Sequence, residues 1–97
     1  MRVRFHVLAR VDVVEILRYY EQVAGHETAV DFFTELRRAI RTIAAHPHSF
    51  AEVRTGIRRF LLRQFPYRID YEIVDAETIK ILVIKHQRRK TDFGLDR

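Results

Sequence analysis

The apolar residues of this chain change period along its length, and that change restricts the fold more than any other feature. Val3, Phe5 and Val7 alternate with Arg2, Arg4 and His6, the period of two with which a strand buries one face. Asp12 with Glu15 three residues later has the form of a capping box. Val13, Ile16, Leu17, Tyr20, Val23 and Ala24 then share one helical stripe, which Gly25 is placed to end. A second helix is expected from Glu27 or Thr28, with Ala29, Phe32, Phe33, Leu36, Ile40 and Ile43 as its apolar face. It should stop at His46-Pro47, because the residue before a proline disfavours helical backbone. Residues 47 to 56 read as a loop with only Phe50 and Val53 turned inward. Strand character then returns in Ile57 to Phe65, Tyr67 to Val74 and Thr78 to His86, broken at Pro66 and at Asp75-Ala76-Glu77. This order predicts an α+β fold, β-α-α-β-β-β, with a helical hairpin packed on a small, mostly antiparallel sheet.

A chain of 97 residues holds one domain, residues 1 to 97, with an expected stability of only ~5 to 10 kcal/mol. No apolar stretch approaches the ~18 residues that cross a bilayer, and Arg2, Arg4 and His6 interrupt the place where a signal peptide needs an apolar run. With no cysteine there is neither a disulfide framework nor a thiolate. The expectation is a cytoplasmic protein.

Register decides which charges share a face of the sheet. In the third strand Tyr67, Ile69, Tyr71 and Ile73 should face the helices, and in the fourth Ile79, Ile81 and Val83 form the β-branched set that should join them. Odd paired with odd places Arg68, Leu82, Ile84 and His86 together on the opposite face. A slip of one residue separates Arg68 from His86.

The charge is strongly uneven. Residues 1 to 48 carry seven Arg against six acids, a balance of +1, while residues 49 to 97 carry eleven Lys or Arg against seven acids, a balance of +4. Five arginines and no acid lie from Arg54 to Arg68, and Lys85 to Lys90 adds four more cations. Such a surface attracts polyanions or an acidic partner, and it also serves simply as a solvated basic face. Gly25, Gly56 and Gly94 are too scattered to cradle a phosphate, and His46 and His48 have no carboxylate near them in sequence, so no cofactor or metal is expected. What remains is cationic chemistry. Metal-free RNA cleavage needs a base, an acid and cations for the charge growing on phosphate, and Arg63, Arg68, His86, Arg88 and Arg89 could supply them. The alternative is that these are surface cations and a strand-end histidine.

Several of these features in order resemble the RelE/ParE superfamily of toxins from bacterial type II toxin-antitoxin modules. They are Ala9 and Asp12, Tyr19-Tyr20, Ala29 and Phe32, His46-Pro47, Gly56-Ile57-Arg58, Phe65-Pro66-Tyr67, Tyr71, and His86 with Arg88-Arg89. The resemblance covers nearly the whole chain. It implies a growth-inhibiting toxin held in a hetero-oligomer by a cognate acidic antitoxin that folds as it wraps its target.

The superfamily serves two activities. RelE-like members are ribosome-dependent mRNA endonucleases, and Arg68 and His86 fall where some of them carry a strand arginine and a catalytic histidine. Those members also follow the histidine with a tyrosine or place one near the C-terminus, whereas this chain has Gln87 and then Phe93, with no tyrosine after Tyr71. Phe65-Pro66-Tyr67 and His86-Gln87-Arg88-Arg89 are more similar to the ParE-like branch, whose members poison DNA gyrase without being nucleases. The resemblance therefore implies gyrase as target, with contacts expected at Arg58, Arg59, Arg88, Arg89 and Phe93. Ribosome-dependent mRNA cleavage by Arg63, Arg68 and His86 is the alternative, and a basic antitoxin-binding module without toxicity is a third.

Overall fold

Val3 and Phe5 both pack against the core, as their alternation requires. In the computed structural model, which describes residues 1–97, they belong to β1, Arg2–Phe5. Helix α1 follows at once, Val7–Val23, five residues before the start expected at Asp12. The cap is His6, whose Nδ1 accepts from the Leu8 N–H at 3.0 Å and so satisfies one donor that a helix start leaves open. Asp12 is no cap. It lies inside the helix, 2% exposed, and serves the sheet instead.

Helix α2, His26–Ala45, begins after a two-residue link in which Gly25 has φ of 96°, a conformation that penalises any side chain. Ala29, Phe32, Leu36, Ala39 and Ile43 bury its inner face, and it ends before Pro47 as expected. Val23 and Phe33, expected inside, are 60% and 41% exposed, because they lie on the outer side of the hairpin.

The segment read as a loop contains a strand, β2, Ala51–Arg54, all four residues of which are exposed. Then come β3, Ile57–Leu61, β4, Tyr67–Ile73, and β5, Thr78–His86. The sheet thus has five strands in the order β1-β5-β4-β3-β2, antiparallel except for β1 beside β5. The core lies between hairpin and sheet, where Phe32, Leu36 and Ile43 meet Tyr67, Ile69, Tyr71, Ile79, Ile81 and Ile84. Tyr71 keeps its polar end satisfied by donating to the Pro47 carbonyl at 2.5 Å.

A β-bulge resets the far half of β5. Tyr71 stands opposite Ile81 but Asp70 stands opposite Val83, so Leu82 has no partner on β4. Leu82 and Val83 both turn away from the helices, and Ile84 returns to the core. The expected shared face of Arg68, Leu82, Ile84 and His86 does not form, and Val83 leaves the core face. Arg68 pairs with Lys85 on the far side, whereas His86 pairs with Tyr67 on the helix side, ring centroids 5.6 Å apart.

Candidate functional site: a strapped sheet face and an open groove

Beyond β5 the chain turns back over the side of the sheet that faces away from the helices, and residues 87–97 form a strap of turns. Leu95 is buried there against Ile57, Leu82 and Val83, with Phe93 beside them. Gly94 sets how closely the strap approaches. It has φ of 77°, and a Cβ on it would lie 2.6 Å from Val83 Cγ2. The face expected to display cations is therefore roofed by the chain itself.

Buried ion pairs hold the roof. The Asp70 carboxylate, fully buried, accepts from Arg59 Nε at 2.7 Å and Nη2 at 3.0 Å, and from Arg68 Nε at 3.2 Å. Both guanidiniums then turn their remaining donors on the strap backbone. Arg68 donates to the Arg89 and Lys90 carbonyls, each at 2.8 Å, and Arg59 to the Thr91 carbonyl at 2.7 Å and its Oγ1 at 2.9 Å. Burial lowers the pKa of Arg68 and Asp70 opposes that shift, but a guanidinium stays charged in a protein.

Asp12 makes a second anchor where β1 stops and leaves the edge of β5 open. It accepts from the Ile84 N–H at 3.0 Å, standing in for a neighbouring strand. Arg97 bonds Asp12 at 2.7 Å and the Leu82 carbonyl at 2.8 Å, and Lys85 Nζ lies 3.1 Å from the same carboxylate. Phe93 is surrounded by cations, with Arg89 at 4.2 Å from its ring centre and Lys85 and Arg97 each at 5.4 Å.

The sequence-predicted site residues separate into three groups. Arg68 and Arg59 are internal fasteners, the first only 1% exposed. Arg58 alternates to the helix side, where it donates to the His48 and Phe50 carbonyls at 3.2 and 2.8 Å and fixes the chain leading into β2. Arg63, His86, Arg88 and Arg89 are exposed, and Lys90 joins them. They gather at one end of the sheet because the Gln87 N–H donates to the Pro66 carbonyl at 2.8 Å, tying the strap to the β3–β4 turn that carries Arg63. None of Arg63, Arg88, Arg89 and Lys90 forms an ion pair. The His86 Nδ1 accepts from the Arg88 N–H at 3.0 Å. Asp70 and Asp12 were not expected as fasteners, although Asp70 is the first acid after the run of five arginines.

On the helix side, α2 stops short of β2 and leaves a groove of about 810 Å³ along β3. Phe50 and Phe60 meet edge to face within it, ring centroids 4.8 Å apart. Val53, 36% exposed, lines it together with Arg38 and Arg63, while Leu61, 55% exposed, pairs with Arg68 and turns its side chain to the strap side. No three His, Asp or Glu side chains lie close enough to hold a metal ion, and no helix is long and apolar enough to cross a membrane.

Residues 3–91 match the family described as the ParE toxin of type II toxin-antitoxin system, parDE. Among solved structures, a chain of the chromosomal ParDE TA system from P. aeruginosa superposes with a TM-score of 0.76 at 20% identity, over 89% of this chain and 95% of that one. At that identity the likeness is one of fold. No curated protein matches.

Proposed function

This chain belongs to the ParE toxin family of type II toxin-antitoxin systems, and from that premise we propose that it arrests growth by poisoning DNA gyrase until an acidic antitoxin occupies its groove. The observation that carries the choice of target is the separation of Arg68 from His86. A metal-free ribonuclease needs its cations and its proton-transfer group around one phosphate. Here the arginine is buried with its donors committed to Asp70 and the strap, and the histidine lies across the sheet from it. A target engaged through contacts alone does not need the two to meet. In this reading Arg88 and Arg89 face the DNA that gyrase holds, while Arg59 and Phe93 set the shape of the strap beneath them.

The groove suits the antitoxin. Its floor is aromatic and its rim carries Arg38 and Arg63, the complement of an acidic segment with a few apolar anchors that orders as it docks. Purified protein should block supercoiling or trap cleaved DNA when gyrase is present, and no effect at micromolar excess removes the gyrase reading. Arg38→Glu should weaken antitoxin binding at least tenfold by placing a carboxylate against an acidic partner. Unchanged affinity would move the docking site elsewhere.

A further inference from the structure

Arg88, Arg89, Lys90 and Arg63 form a cationic end on the sheet that differs in kind from the rest of the surface. The strap carbonyls of Arg89, Lys90 and Thr91 point inward and accept from Arg68 and Arg59. The side chains that this backbone turns outward at 88–90 are therefore cationic donors held on a tethered turn. Such a surface fits a ligand made of closely spaced acceptors.

Two further observations choose among polyanions. Protein interfaces centre on apolar anchors, and the large exposed apolar residues of this chain are Met1, residues of α1, α2 and β2, Val74 after β4 and the single Leu61 of β3, with none from residue 86 onward. Single strands are gripped by aromatic platforms on which bases stack. The one aromatic ring of the strap, Phe93, is half-buried and occupied by Arg89, Lys85 and Arg97. A cationic rim with neither an apolar centre nor a free ring suits a phosphate array whose bases are already stacked.

We infer that this end of the molecule binds the phosphate backbone of duplex DNA directly, without sequence preference. The inference goes beyond the gyrase reading, because it requires no enzyme. Four cations that each displace a counterion give a log–log salt slope of roughly −3 to −4, so a fourfold rise in salt should weaken binding roughly a hundredfold.

Fluorescence anisotropy of a short labelled duplex, titrated with the intact chain in the absence of gyrase, tests this. The variant Arg88→Gln, Arg89→Gln, Lys90→Gln should lose at least tenfold in affinity at ~0.1 M salt, and its remaining salt response should shrink to roughly three- to fourfold for the same rise. A control with the same charge removed elsewhere, Arg4→Gln, Arg10→Gln, Arg18→Gln, should stay within about twofold of the parent at that salt, since surface charges beyond a Debye length of ~10 Å are screened. Circular dichroism establishes that both variants are folded. Equal losses in the two variants would mean attraction by net charge, and would overturn the inference. So would an unaffected strap variant, tighter binding of a single-stranded RNA of the same length, or displacement of the duplex by polyglutamate at equal charge. Inhibition of gyrase is not read in this assay, so its outcome leaves the gyrase proposal to its own test.

Discussion

Asp70 is tolerable at zero exposure only because two guanidiniums share it, and they in turn are tolerable only because it is there. Removing one member of a buried ionic set leaves the others uncompensated, at a cost of ~3–5 kcal/mol. Asp70→Asn should therefore lower the unfolding free energy by that amount and shift the urea midpoint accordingly. An unchanged midpoint would show that the set is not closed to water. His86 carries no such burden, being exposed and bonded only to the Arg88 N–H by its side chain. His86→Ala should change stability by less than about 1 kcal/mol, and mRNA in a ribosome-programmed assay should stay intact with parent and variant alike. Cleavage by the parent that His86→Ala abolishes would restore the nuclease alternative. Burial raises the pKa of both Tyr20 and Tyr71 to about 12 from an ordinary value of 10.0. The folded state thus holds those protons more tightly than the unfolded chain. Their contribution is intact below pH 10 and drains away as pH climbs through 12. Alkaline titration followed by denaturant unfolding should show that decline, and Tyr71→Phe should flatten it.

At the level of elements, the strap depends on the fit of Gly94 against Val83. Gly94→Ala meets both a strained backbone conformation and a 2.6 Å approach. The expected result is a destabilisation of ~1–3 kcal/mol, with hydrogen-exchange protection lost first over residues 87–97. Protection retained there would mean that the strap adjusts around the methyl group. The same elements show why part of the fold was legible in the sequence. Phe32, Leu36 and Ile43 recur with helical spacing, and Tyr67 to Ile73 alternates cleanly, so the hairpin and β4 follow from period alone. β2 left no such trace, because four exposed residues on a sheet edge bury nothing. The bulge left none either. Ile81 to Ile84 is an unbroken apolar run, and a run without polar members carries no phase, so nothing marked Leu82 as the extra residue. That one residue decided whether Arg68 and His86 would meet. The candidate site was accordingly legible as a set of cations but not as an arrangement. Asp70 lies only two residues from Arg68 on the same strand, but Asp12 fastens Arg97 from 85 positions away in the chain.

For the molecule as a whole, the groove and the cationic end are distinct surfaces that adjoin at Arg63, which lines the first and helps form the second. Adding the cognate antitoxin should slow hydrogen exchange along Ala51–Arg54, Ile57–Leu61 and the neighbouring side of α2, and leave residues 88–93 unchanged. Protection confined to the strap would instead place the antitoxin on the cationic end. Residues 3–91 match a family of toxins, so when such a domain becomes competent matters as much as how it is built. β1 lies beside β5, the strand made last, so the first piece of sheet to leave the ribosome waits for the final one before it has a neighbour. Pairings between distant stretches of chain form slowly, and incomplete sheets stay open in the meantime. The topology thus builds a delay into every round of synthesis. Until residues 78–86 have emerged, the N-terminal strand has nothing to lie against.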